Sequence, residues 1–138
     1  MVLAVPVLAM ESVMASLADS LASASERIVI TDVGSTKATI WACAQRVFGQ
    51  VPTNKLLGHP IAGSEKSGVA AANPQLYVDH KVILTPEANV DREALERVRR
   101  LWQGCGAEVL EMDVERHDQV LARTGHLPHL LAFALVDT

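Results

Sequence analysis

The chain predicts an α/β fold built on a parallel sheet, and three observations lead there. Short aliphatic and β-branched runs alternate along it with stretches whose apolar residues recur at helical spacing. Turn-forming residues separate the two kinds of segment. The first run, Val2 to Val7, is apolar throughout rather than alternating, as in a strand covered on both faces. At 138 residues one domain is the natural expectation, and a compact chain of this length buries roughly two-thirds of its unfolded surface.

Each element follows from its residues. Val2–Val7 reads as a strand, and Met10, Val13, Met14, Leu17 and Leu21 then set a helix over about residues 8–23. Arg27 to Thr31 is a β-branched strand, followed by a turn from Asp32 to Ser35. Ser35 can cap a helix that runs to Phe48, with Ile40, Trp41, Ala44 and Val47 on its buried face. Lys55 to Gly58 forms a short strand that leads into a loop at His59, and residues 60–80 show little periodicity. Lys81 to Pro86 is the next strand. Asp91 caps an amphipathic helix with a stripe of Ala94, Leu95, Val98, Leu101 and Trp102, closed by Gly104 and Gly106. Glu108 to Met112 reads as a strand and Val114 to Arg123 as a helix. From Leu127 the chain turns apolar and helical to its last residue.

Composition narrows the function. The chain is 49% hydrophobic and 20% charged, as globular α/β proteins are. A net charge of −4, with no basic run longer than Arg99-Arg100, argues against nucleic acid as a partner. Cys43 and Cys105 lie far apart and read as reduced packing residues. The five histidines show neither cysteine clustering nor zinc-site spacing, so no metal site is expected. The opening MVLAVPVLAM is broken by Pro6 and too short for a membrane span. Its first basic residue is Arg27, unlike a secretory leader, so a cytoplasmic protein is expected.

The densest chemistry lies in residues 58–68, Gly-His-Pro-Ile-Ala-Gly-Ser-Glu-Lys-Ser-Gly. Glycines allow close backbone approach to a ligand and Pro60 stiffens the turn. A lone histidine such as His59 can be a core residue or a proton acceptor. Ser64, Glu65, Lys66 and Ser67 can be a solvated turn or the rim of a site. Ser35 can be a helix cap or a site hydroxyl, and one hydroxyl can serve as both. Asp32 reads as an acceptor for backbone amides or for Lys37, and Lys37 as a solvated helix residue. His80 and His117 read as structural or surface residues.

Three pieces together, Asp32-Val33-Gly34-Ser35-Thr36-Lys37, the His59 loop and His126-Leu127-Pro128-His129, resemble the prephenate/arogenate (cyclohexadienyl) dehydrogenase family. Tyr77–Pro86 and Trp102–Met112 extend the likeness over essentially the whole chain. The resemblance implies the second half of a Rossmann-like doubly wound sheet over residues 1–125, then the start of a helical dimerisation domain at 126–138. It implies oxidative decarboxylation of prephenate or arogenate with NAD, or NADP, by a homodimer. His59 would be the general base, and Ser35 would lie by the nicotinamide and the substrate hydroxyl. Ser64, Glu65 and His129 would meet the substrate, and Ala4, Val5, Pro6 and Asp32 the cofactor. The family's glycine fingerprint, Gly-x-Gly-x-x-Gly, does not occur in these residues, so at best half a cofactor site is expected. A non-catalytic remnant is the competing reading. The apolar first strand, without its usual neighbour, is expected to make the chain self-associate.

Overall fold

The computed structural model describes residues 1–23, 28–63 and 68–126. Five strands form one sheet in chain order: β1 (Val2–Leu3), β2 (Ile30–Asp32), β3 (Lys55–Pro60), β4 (Lys81–Thr85) and β5 (Glu108–Glu111). Among the described residues four α-helices accompany them: α1 (Met10–Ser23), α2 (Lys37–Phe48), α3 (Arg92–Gly104) and α4 (Val114–Leu121).

Both faces of the sheet are covered, which explains the continuous apolar strands. Successive side chains on a strand point to opposite faces. Leu57 joins Met10, Met14, Ile30 and Ile40 under α1 and α2, whereas Leu56 joins Val82, Leu84, Val98 and Trp102 under α3. The α/β class read from the sequence holds. The all-parallel arrangement does not. β1, β2 and β3 run parallel, and so do β4 and β5, but β3 and β4 are antiparallel, with His59 opposite Ile83. A parallel return needs a crossover element packed on one face. Between these two strands the described residues offer only a 3₁₀ turn, Val69–Ala71, so the chain returns directly beside β3.

Three local expectations are corrected. The first strand pairs only at Val2 and Leu3; Pro6, which has no N–H to donate, leads instead into a 3₁₀ turn at Val7–Ala9. His59 belongs to β3 rather than to a loop. Ser35 does not cap α2: Thr36 is the N-cap residue and makes no side-chain cap bond. The Asp91 cap of α3 is as read, its carboxylate accepting from the Glu93 and Ala94 amides. Leu101 leaves the buried stripe and is exposed. Gly106 closes the helix at φ +85°, a conformation that favours glycine, and a Cβ there would meet Val78. Cys43 is buried and Cys105 exposed, both free. α4 stops at Leu121 and continues as a π-helical turn, Ala122–His126. The helical stretch expected from Leu127, and with it His129, lies outside the described residues, as do Ser64 and Glu65.

One buried cation carries a pH signature. Lys55 opens β3 and is enclosed, and its ammonium has no hydrogen-bond partner among the described residues. Burial pushes it down to about 8; Asp32 and Cys43 pull it back, while Lys37 adds to the depression. Below about pH 8 the amine is protonated in both folded and unfolded chains, and the fold carries the full desolvation cost. Between there and its ordinary value of 10.5 the folded chain has released a proton that the unfolded chain still holds, so stability rises with pH. Lys55→Met should therefore stabilise the chain near neutrality by on the order of 2–3 kcal/mol. It should also flatten the rise. Denaturant melts of both proteins across this window check it, and an unchanged slope would sink the assignment.

Candidate active site

The parallel strands β1, β2 and β3 end on the same side, at Leu3, Asp32 and Pro60. In open α/β sheets ligands bind outside such carboxyl ends. Asp32 organises this edge. It is fully buried, and its Oδ2 accepts from the Gly34 amide at 2.9 Å and from the Lys37 ammonium, while Oδ1 accepts from the Gly58 amide at 3.3 Å. Lys37 in turn donates to the Gly58 carbonyl at 2.6 Å. A Cβ on Gly58 would lie 3.1 Å from the Asp32 carbonyl oxygen, so only glycine lets β3 approach this closely without adjustment.

One expectation changes here. Lys37 is fully enclosed rather than solvated. Burial depresses its ammonium and Asp32 opposes the depression. Asp32 accepts from backbone amides and from Lys37 as read; it is fully buried and ties together the Ser35 turn and the His59 strand. Each of those residues sits directly beside a glycine that the carboxylate holds. Ser35 is exposed and His59 half-buried.

His59 Nδ1 lies 2.9 Å from Nε2 of His117, the rings edge-on with centroids 5.1 Å apart. His117, which the sequence reading set aside as structural or exposed, is fully buried. Its Nδ1 lies 2.7 Å from Oδ1 of Asp118. The Asp118 carboxylate also accepts from the Lys37 and Ala38 amides, each at 2.9 Å. It thereby fills the role at the start of α2 that Ser35 was expected to play. Burial would raise the Asp118 carboxyl, but these two amides and the His117 hydrogen bond outweigh it and hold the group below its usual range. Burial pushes the His117 imidazole down, and the hydrogen bond and charge of Asp118 only partly restore it. His117 is therefore neutral near neutral pH.

A signal for His117 existed. Val114, His117 and Leu121 share one face of α4, the face that carries apolar packing in an amphipathic helix. The side chains of His126 and His129 fall outside the described residues. At the end of β1, Ala4 and Pro6 are exposed and Val5 partly so, leaving a small-residue shelf beside β2. This arrangement can take a proton at an imidazole near the end of β3, one strand over from the turn that carries an exposed hydroxyl.

Comparison with known proteins places these residues in context. The chain matches the nucleotide-binding domain of prephenate dehydrogenase over residues 1–111. It is 37% identical over 135 residues to a cyclohexadienyl dehydrogenase of Zymomonas mobilis, covering 97% of this chain and 44% of that protein. The crystal structure of prephenate dehydrogenase from Aquifex aeolicus, in complex with hydroxyphenyl propionate and NAD+, superposes with a TM-score of 0.86 at 39% identity. That match covers 99% of this chain and 46% of the other. Synechocystis arogenate dehydrogenase gives a TM-score of 0.81 at 27% identity, over 99% and 46% of the two chains. This chain spans less than half the length of these relatives.

Proposed function

The chain belongs to the prephenate dehydrogenase family, and on that premise we propose that it supplies the proton acceptor and one wall of the cofactor site for oxidative decarboxylation of prephenate, arogenate or both. The observation that carries this reading is His59 at the carboxyl end of β3, tied through Asp32 to the turn that bears Ser35. NAD or NADP, when bound, supplies the hydride acceptor.

The residues of this chain do the rest. His59 takes the proton of the ring hydroxyl as hydride leaves the same carbon, which is worth about 10²–10⁴-fold in rate. Collapse of the resulting dienone-like ring expels CO₂ and leaves a phenol, so the step runs one way. The exposed Ser35 hydroxyl orients the substrate hydroxyl and the nicotinamide. Ala4, Val5 and Pro6 fit a flat ring against the end of β1, because exposed small side chains leave room there. The Gly-x-Gly-x-x-Gly turn that cradles a pyrophosphate does not occur in these residues. Ser64, Glu65 and His129 are assigned to the substrate on the family resemblance. The same reading brings a homodimer and a cytoplasmic setting. Among the described residues no helix is long and apolar enough to cross a membrane.

The test exchanges this chain for the matching segment of the Zymomonas enzyme. The purified chimaera should reduce NAD when given prephenate or arogenate, and the ratio of the two rates gives the preference. A folded, soluble chimaera that forms no NADH with either would refute the proposal in favour of a non-catalytic remnant.

A further inference from the structure

Asp118, His117 and His59 form a hydrogen-bonded series, and its chemistry restricts where the protons can lie. An ionised carboxylate only accepts, so the His117 nitrogen that faces Asp118, Nδ1, must carry a proton. A neutral imidazole carries one, so His117 Nε2 is an acceptor. The His59 nitrogen that faces it, Nδ1, must then be the donor. This assigns the lone pair of a neutral His59 to Nε2.

We propose that His117 and Asp118 are positioning residues that hold His59 in the Nδ1–H tautomer, with Nε2 as the nitrogen that accepts the substrate proton. A free imidazole prefers the opposite tautomer, with hydrogen on Nε2 and no lone pair there to receive a proton. The proposal rests on the reading of His59 as the general base. When the substrate O–H bond breaks, its proton passes to Nε2 and its electron pair stays on oxygen. The imidazolium so formed keeps its Nδ1–H on His117, whose other nitrogen is anchored to an anion. An equivalent arrangement, in which a carboxylate fixes a histidine tautomer, governs catalysis in serine proteases. Here a second imidazole stands between them.

The surroundings support the required protonation states. His117 is enclosed between β3 and α2, facing His59, Asp118, and the charges of Lys37 and Asp32. Two amides at the start of α2 help keep Asp118 ionised, and that end of a helix favours an anion. The same carboxylate joins α2, and so the Ser35 turn, to the orientation of the imidazole. A histidine serving only as packing would need neither contact.

Nitrogen-15 NMR of the chain itself reads the tautomer without any turnover. With labelled histidine near neutral pH, His59 should show a protonated Nδ1 and a bare Nε2, and His117 the same. A protonated Nε2 on neutral His59 would overturn the proposal. In His117→Phe, which keeps a buried ring but removes the acceptor, the His59 signals should move toward the Nε2–H form. In His117→Gln, whose amide oxygen still accepts, they should stay. A His59 tautomer indifferent to both substitutions would also overturn it. In the active chimaera, His117→Phe should lower kcat by about 10²-fold with little change in KM, and His117→Gln should recover most of it. A chimaera inactive before substitution, with the tautomer as assigned in the chain, would reject the functional reading and leave the positioning intact. Equal kcat in all three active chimaeras would reject the positioning alone.

Discussion

His59→Asn, made in the chimaeric dehydrogenase, should lower kcat by about 10²-fold or more while leaving affinity for NAD nearly constant. Asparagine keeps a polar group of similar reach on β3, and the backbone pairing with Ile83 is untouched. What it loses is a basic nitrogen. The proton of the ring hydroxyl then has no acceptor at the moment hydride departs, and a weakly basic amide oxygen cannot replace one. The shelf at Ala4–Pro6 follows β1 rather than β3, so the proposed cofactor contact there should survive. Steady-state kinetics with varied prephenate and varied NAD separate the two effects. A variant that turns over like the parent would remove His59 from the mechanism.

The second large effect is on stability. Asp32→Ala should cost about 3–5 kcal/mol, because it strands the enclosed Lys37 ammonium and leaves the Gly34 and Gly58 amides without their acceptor. A domain holds only about 5–15 kcal/mol in total, so the variant would sit near its unfolding threshold. The double substitution Asp32→Leu with Lys37→Met strands no charge and should regain part of the loss. Chemical denaturation followed through Trp41 and Trp102 fluorescence measures all three proteins. A loss below about 1 kcal/mol in the single variant would show that the pair contributes little beyond its own desolvation.

The sequence was most legible where structure is local. The Asp91 cap, the α3 stripe and the limits of α2 depend on neighbours within a few residues, and they came out nearly as read. So did the strands from Lys55 onward, because an apolar run bounded by turns has few other uses, whereas the first run pairs only at Val2 and Leu3. Local reading failed where the partner is distant. Lys37 shares the buried face of α2 with Ile40 and Ala44. It reads as solvated from the sequence although Asp32 reads as a possible acceptor for it, because its second acceptor, the Gly58 carbonyl on β3, lies 21 residues away. For the same reason spacing leaves His117 between a structural and an exposed reading, its partner on β3 being 58 residues away. The motif around His59 stood out through its residue types and its family resemblance, not through periodicity. The antiparallel turn between β3 and β4 had no signal beyond a missing helix, and it matters for the site. β4 and β5 run against β3, and the helix that follows β5 puts His117 2.9 Å from His59.

That reversal also sets an order of assembly. The Asp32 clamp joins residues 2 to 26 positions apart, all of them present once β3 has been synthesised. The Asp118 contacts with the start of α2 span 80 and 81 residues, and they close only after β4, α3 and β5 have been laid down. Loop closure of that length comes late, since its entropy must be spent before any contact returns it. A nascent chain therefore builds the frame around His59 first and orients the imidazole last. Partly folded forms carry the motif without its contact to His117, which arrives only with α4.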